Sequence, residues 1–574
     1  MDASIVIISL PAIFRGIGLD PLAAGNIGYL LWMILGYLLV SAVLVVVLGR
    51  LGDMFGRVRI YNLGFLIFAC ASVALSLDPF RAGAGALWLI LWRIVQAFGG
   101  SMLTANSAAI LTDAFPARQR GMALGINQMT ALAGQFLGLL AGGLLAAVDW
   151  RAVFWVSVPV SITGTVWSYL SLRETASGRR GRVDWLGNLT FACGAGILLA
   201  GITYGIQPYG GSATGWGNPW VLTGLSGGVF LLLAFCLVET RPRALGFARA
   251  AGTRAVEPMF RLSLFRVRAF AAGNLAVLLT AIARGGLQFM LIIWLQGIWL
   301  PLRGYDFADT PLWAGIFMLP LTLGFLIAGP VSGYLSDRFG ARLFATAGLV
   351  LVAASFLGLL ALPVNFDYAT FAALLLLNGL GQGMFSAPNT SSIMGSVPAE
   401  YRGVASGMRS TFQNSGTALS IGVFFSLMVS GLASSLPAAL SGGLQAHGVP
   451  AASAEQAASL PPVSTLFATF LGNNPVGHLL GSSGVLDQLT ATQRATLTGH
   501  TFFPQLVSGP FHHGLTVVFG VAAAMALVAA LASALRGRHE PRDGRLPEHG
   551  PAADPHPERP AGDGPAARAD HPLR

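Results

Sequence analysis

The chain lacks lysine altogether: across 574 residues, all 34 basic side chains are arginine. Charge of either sign is scarce, at 10% against about a quarter in soluble proteins. Hydrophobic residues make up 54% and the mean hydropathy is +0.67. A soluble globular domain is excluded. Cysteine is nearly absent, and Cys70, Cys193 and Cys236 fall in separate apolar runs with no metal-ligand spacing, which argues against a disulfide framework and against zinc. Every histidine lies at His447 or later, so the usual residue of a buried proton relay is missing from most of the chain. No glycine-rich phosphate loop with its lysine is present. Direct drive by ATP is excluded, and no enzyme chemistry, cofactor or metal is expected.

What is present is a series of apolar runs of about 18–25 residues, each enough to cross a hydrocarbon core roughly 30 Å thick. They predict fourteen spans, near 1–14, 27–48, 60–77, 86–112, 121–147, 150–172, 185–206, 219–238, 269–297, 311–334, 343–362, 369–394, 403–430 and 511–535. The first is short, about 21 Å as helix. It has neither the charged start nor the cleavage site of a signal peptide, so an upstream turn or two is expected to complete it. Arginine is segregated: nineteen fall in loops assigned to the cytoplasmic side and five on the outer side. The pI near 10.1 is therefore an orientation signal in a multi-pass cell-membrane protein, and no nucleic-acid partner is expected. Both chain ends are predicted in the cytoplasm and the Ala-, Ser-, Gly- and Pro-rich segment 431–510 outside, where Val463–Leu471 and Leu479–Leu489 read as packed surface helices. Residues 536–574 hold too little apolar surface to fold and read as a disordered cytoplasmic tail.

Two stretches recur in register. Gly49-Arg-Leu-Gly-Asp53-Met-Phe-Gly56-Arg57 returns as Gly333-Tyr-Leu-Ser-Asp337-Arg-Phe-Gly340-Ala341, 284 positions on. Pro116-Ala-Arg-Gln-Arg120-Gly121 returns as Pro398-Ala-Glu-Tyr-Arg402-Gly403. The fold expected is all-α: a six-helix bundle over 1–172, a second over 269–535, and two extra helices within 173–268 between Arg-rich linkers. Duplicated halves are the signature of a membrane carrier whose substrate site lies between them.

The loop at 49–57 has legible physics. Gly49 and Gly56 permit close approach and a tight turn, and Asp53 can face a helix N-terminus, where negative charge is favoured. This loop resembles the signature between the second and third helices of the major facilitator superfamily, and the resemblance implies a conformational latch formed by Gly49, Asp53, Gly56 and Arg57. The second copy, with Gly333, Asp337 and Gly340, carries Ala341 in place of Arg57, so a weaker latch is expected there. Arg93, in Arg93-Ile-Val-Gln96-Ala-Phe-Gly99, resembles the family's Arg-x-x-Gln-Gly signature, with Ala97 at the first Gly. In the fifth span Gly134, Gly138, Gly142 and Gly143 give one face of bare backbone for helix contact. That run resembles the family's antiporter motif but has Leu139 where the motif has Pro, and a generic packing face is the alternative. The opening Met1-Asp2-Ala-Ser4 looks like the first helix of the fourteen-span drug:proton antiporters, whose motif places an Asp there.

A charge inside a membrane span costs about 2.5–3.5 kcal/mol on insertion scales and reads as functional. Arg93 and Gln96 are candidates, with Asp2 as the coupling acid and the partner of Arg93. If the chain starts at Met1, however, Asp2 is expected in water at a frayed end. In the second half, Arg284 with Gln288, and Arg409 with Gln413, sit four apart on one helix face. A cavity with Arg93, Arg284 and Gln288 but few acids suits anionic or zwitterionic substrates; snorkelling to the loop is the alternative for Arg409. The resulting reading is a secondary transporter that exports drug-like or amphipathic small molecules, with protons as coupling ion and rocking of the halves as mechanism. A metabolite or anion symporter or uniporter is the alternative, and an inert membrane scaffold the third.

Overall fold

The computed structural model describes residues 2–20, 26–115, 120–174, 185–240, 261–398 and 401–536. The Arg-rich linker residues 175–184 and 241–260 and the tail 537–574 lie outside the described residues. The described chain is helical. The first half comprises α1 (Asp2–Ile17), α2 (Asn26–Phe55), α3 (Arg57–Ser76), α4 (Ala82–Ala114), α5 (Arg120–Val148), a single turn α6 (Ala152–Trp155) and α7 (Ser157–Ser171). Two helices follow, α8 (Trp185–Gly205) and α9 (Pro219–Thr240). The second half comprises α10 (Arg268–Trp294), which runs through a π-helical turn (Leu295–Trp299) into α11 (Leu300–Leu302), then α12 (Thr310–Phe317), α13 (Leu319–Phe339), α14 (Ala341–Leu360), α15 (Tyr368–Gly395) and α16 (Arg402–Ala446). Four short helices, α17 (Ala451–Ala458), α18 (Pro462–Leu471), α19 (Pro475–Ser482) and α20 (Ala491–Thr498), precede α21 (Phe502–Ala534).

Among the described residues, twelve helical stretches are long and apolar enough to cross a membrane. At the remaining two of the fourteen expected positions, α1 and α5 carry shorter apolar stretches, Ser4–Ile17 and Ala133–Val148. The ends of the expected spans move by a few residues in most cases. The larger differences are at α16, which continues to Ala446, and at α21, which begins at Phe502, so the segment 431–510 is largely helical. Within it, Val463–Leu471 is not a surface helix. All nine of those residues are buried in α18, because an apolar run too short to span finds cover against the π-turn: a Cβ on Gly297 would lie 3.2 Å from Thr469.

The duplication is visible in the packing. Helices α3 and α4 cross so closely that a Cβ on Gly99 would lie 2.7 Å from the Gly64 carbonyl oxygen. Their counterparts α14 and α15 cross the same way, a Cβ on Gly381 lying 2.6 Å from the Gly348 oxygen. Gly49 faces Ala105, and Gly333 faces Ala387. Small residues thus set the same helix crossing in both halves. At the end of the bundle away from the repeated loops, the halves meet backbone to backbone. A Cβ on Gly143 of α5 would lie 2.5 Å from Leu312 Cα of α12, and Gln296 Nε2 donates to the Ile8 carbonyl of α1 at 3.4 Å.

Candidate functional site

Arg93 lies well inside α4. Its Nη1 donates to Asp2 Oδ2 at the start of α1 and, at 2.8 Å, to Gln96 Oε1 one turn along its own helix. Gln96 Nε2 in turn donates to Asp2 Oδ1 at 3.1 Å and to Ser72 Oγ of α3 at 2.9 Å. Tyr37 of α2 covers the group, its ring centre 4.2 Å from Arg93 Cζ. Asp2 is 8% exposed and Arg93 2%, so Asp2 is a buried, paired acid and not a solvated end. The arrangement follows from dielectric physics. An isolated charge at this depth is expensive, and the pair persists because each partner neutralises the other and Gln96 hydrogen-bonds to both, although Arg93 Nε is buried without an acceptor.

A second group joins the halves. Arg284, midway along α10, donates from Nη2 to Gln135 Oε1 of α5 at 2.8 Å, and Gln135 Nε2 donates to Gln288 Oε1 at 2.7 Å. These three side chains line a cavity with Asn378 and Gln382 of α15 and with Leu139, Leu287, Met318, Leu321 and Phe325. The cavity measures about 50 Å³, against roughly 300–1,000 Å³ for pockets that hold drug-sized ligands. Admission of such a molecule therefore requires the halves to move apart. Arg409 is buried in α16, and among the described residues neither it nor the side chain of Gln413 hydrogen-bonds to either group.

At the loop end, Gly56 has φ +105° and Gly340 φ +90°, backbone conformations that favour glycine. Arg57 pairs with Asp113 at the end of α4, at 2.5 Å. The N-terminus of α3 is capped by Glu174, whose carboxylate accepts from the backbone N–H of Arg57 at 3.1 Å, Val58 at 3.1 Å and Arg59 at 3.3 Å. That is the role expected of Asp53. Glu174 takes it because the chain leaving α7 passes directly over the first turn of α3, where three free N–H groups favour an anion. The side chains of Asp53 and Asp337 lie outside the described residues.

Along α5, Gly142 and Gly143 admit close neighbours: Ser9 Oγ donates to the Gly142 carbonyl at 2.9 Å. Gly138 is buried, but a Cβ on Gly134 would meet no atom within 4 Å. Close packing is thus seen at Gly142 and Gly143, in the half of α5 away from the repeated loops, and at Gly134 the expected packing face gives way to open space.

Sequence reasoning missed Gln135, Ser72, Tyr37 and Glu174. A polar residue within a glycine-rich span was the available signal for Gln135. For Glu174, an acid next to Arg173 at the end of a span was a weaker one.

The family model described as "Major Facilitator Superfamily" matches residues 1–202 and 186–421. The chain is 28% identical over 553 residues to the tetracenomycin C resistance and export protein of Streptomyces glaucescens, covering 96% of this chain and 91% of that one. It is 30% identical over 443 residues to the multidrug resistance protein Stp of Mycobacterium tuberculosis, covering 76% and 74%. It is 28% identical over 435 residues to the riboflavin transporter RibZ of Clostridioides difficile, covering 75% and 86%. With the duplicated helical bundle and a family match over most of its length, the chain belongs to the Major Facilitator Superfamily.

Proposed function

We propose that this protein is a proton-coupled exporter of drug-like or amphipathic small molecules, working by alternating access across a cell membrane that its chain crosses fourteen times. The observation that carries the reading is the buried Asp2–Arg93 pair with Gln96 as a shared donor. A carboxylate held by one guanidinium inside the bundle can exchange its partner for a proton. Protonation of Asp2 frees Arg93, and the cost of a lone buried cation drives the helices to rearrange. Relatives named for resistance and export support the direction of transport. The cytoplasmic placement of both chain ends, with 431–510 outside, rests on the arginine asymmetry. Labelling of Ser441→Cys in intact cells by an impermeant thiol reagent, with Ser177→Cys protected, is expected.

The test of coupling is dye efflux from energised cells with and without a protonophore, for the natural chain and Asp2→Asn. Loss of efflux in both the uncoupled cells and the variant is the expected result. A metabolite symporter or uniporter is the second reading, favoured by Leu139 at the antiporter motif's proline position and by the relative named as a riboflavin transporter. Protonophore-insensitive transport with Asp2→Asn fully active decides for it.

A further inference from the structure

The two halves treat corresponding positions differently. Taking the register of Pro116 and Pro398, Gln96 corresponds to Asn378, and the brace it makes is kept: Asn378 Nδ2 donates to Ser355 Oγ at 2.9 Å, as Gln96 does to Ser72. Arg93 corresponds to Leu375, which is fully buried. The second half therefore holds a leucine where the first holds its arginine, and its own arginine, Arg284, lies on α10. Among the described residues no Asp or Glu lines the cavity around Arg284; its hydrogen bond is to the neutral amide oxygen of Gln135, across the halves.

We propose that the cavity binds amphipathic anions. Resting on the export reading above, this assigns the substrate an acidic oxygen group, carboxylate or delocalised enolate, that takes Arg284 from Gln135. The Gln135 amide occupies the place of that group in this structure. A carboxylate adds charge attraction to the hydrogen bond that a guanidinium makes with a neutral amide, and the planar fork favours two oxygens at once. The ring body of the ligand then lies against Met318, Leu321 and Phe325, while Gln382 and Asn378 supply neutral donors and acceptors. The same exchange breaks the Gln135–Arg284 link between the halves, so loading of the anion also releases a tie that holds this conformation. A cation in the same place would face Arg284 with no carboxylate beside it, and like charges are rejected.

The experiment uses the purified full-length protein in proteoliposomes. It compares uptake of fluorescein, an anionic xanthene, with that of rhodamine 123, a cationic one, under an imposed proton gradient. Wild type is expected to move fluorescein about tenfold faster than rhodamine 123, a difference of roughly 1.4 kcal/mol. Arg284→Gln should lower fluorescein transport about tenfold, and the near-isosteric Gln135→Glu should do the same, because its carboxylate occupies Arg284. Gln135→Ala removes the competing amide and should raise fluorescein affinity about two- to fivefold, a gain that misfolding cannot produce. Transport of rhodamine 123 without fluorescein overturns the anion assignment and leaves proton-driven export standing. Fluorescein transport unchanged in Arg284→Gln and Gln135→Glu also overturns the assignment while sparing export. Movement of neither dye overturns the export reading and the assignment with it.

Discussion

The two copies of the repeated loop share a backbone turn and an aspartate, Asp53 and Asp337, and differ in the charges around them. Gly56 and Gly340 adopt the same positive-φ turn, and each is followed directly by a helix. Around the first, Arg57 pairs with Asp113 and Glu174 caps α3. In the second, the residues in register are Ala341 for Arg57 and Gly395 for Asp113. Where the first half leaves its last helix as Leu172-Arg173-Glu174, the second reads Leu535-Arg536-Gly537. All three of these charges around the first turn have become small, uncharged residues, while Asp53 keeps its counterpart in Asp337. The same asymmetry holds at mid-bundle, where the first half closes on its own ion pair and the second leaves Arg284 to a neutral amide. Duplication preserves the helix crossings, which depend on glycine contacts, and lets the charges diverge. On the function proposed above, the first half holds and releases the proton while the second meets the substrate.

The largest expected effect comes from making the first half like the second at its charge centre. Arg93→Leu copies Leu375 and leaves Asp2 buried without its counter-ion, a loss of about 3–5 kcal/mol. Thermal unfolding in detergent should show a strongly lowered midpoint, and proton-driven export should vanish. Arg93→Lys should restore only part, since the planar fork is gone. The double change Asp2→Asn with Arg93→Leu should recover the midpoint but not the coupling. Export at the natural level in that double variant at equal expression would sink the coupling role of the pair.

Next in size is the turn itself. Alanine at either glycine meets a positive φ, which costs on the order of 1–3 kcal/mol. At Gly56 the new Cβ would also lie 2.6 Å from Glu174 Oε2, whereas at Gly340 it would meet nothing within 4 Å. Gly56→Ala should therefore lower the melting temperature further than Gly340→Ala, and Gly56→Ala combined with Glu174→Ala should close most of the gap. Equal shifts in the two single variants would mean that Glu174 yields without loss.

Glu174→Gln is a gentler break. It keeps an acceptor over α3 but removes the charge that favours the helix N-terminus, worth about 0.3–1 kcal/mol at a surface. A small drop in unfolding midpoint is expected, with turnover changed and substrate affinity held. An unaltered turnover would reduce the cap to a folding device.

Much of this was legible in the chain and some was not, for reasons that differ by residue. Span positions follow from apolar runs, because a bilayer leaves a chain few other places to put them. The contact between Asp2 and Arg93 was readable because each is too costly to bury alone. Gln135 escaped notice because its role exists only across the halves, a relation that no local spacing encodes. Glu174 lay in an Arg-rich connection where an acid looks like composition. Buried α18 misled because a ten-residue apolar helix is too short to span and so reads as surface, although part of its cover comes from the π-turn Leu295–Trp299 and from α1, distant in sequence.

The smallest effect on stability, and the sharpest test of the comparison, is to give the second loop what the first has. Ala341→Arg with Gly395→Asp recreates the Arg57–Asp113 pair in its register. The first pair is half-exposed, with side chains 24% and 33% accessible, and such a pair contributes about 0.2–1 kcal/mol. The melting temperature should hardly move. An alternating carrier, however, works near balance between two conformations, and a bias of about 1 kcal/mol changes their ratio roughly fivefold. Turnover should therefore fall about two- to fivefold with substrate affinity unchanged, while each single substitution has little effect. Because the pair is exposed, high salt should restore the natural rate, the Debye length shrinking to about 3 Å at 1 M. A double variant that behaves as the sum of its parts at every ionic strength would mean that these loops orient the chain in the membrane without latching it.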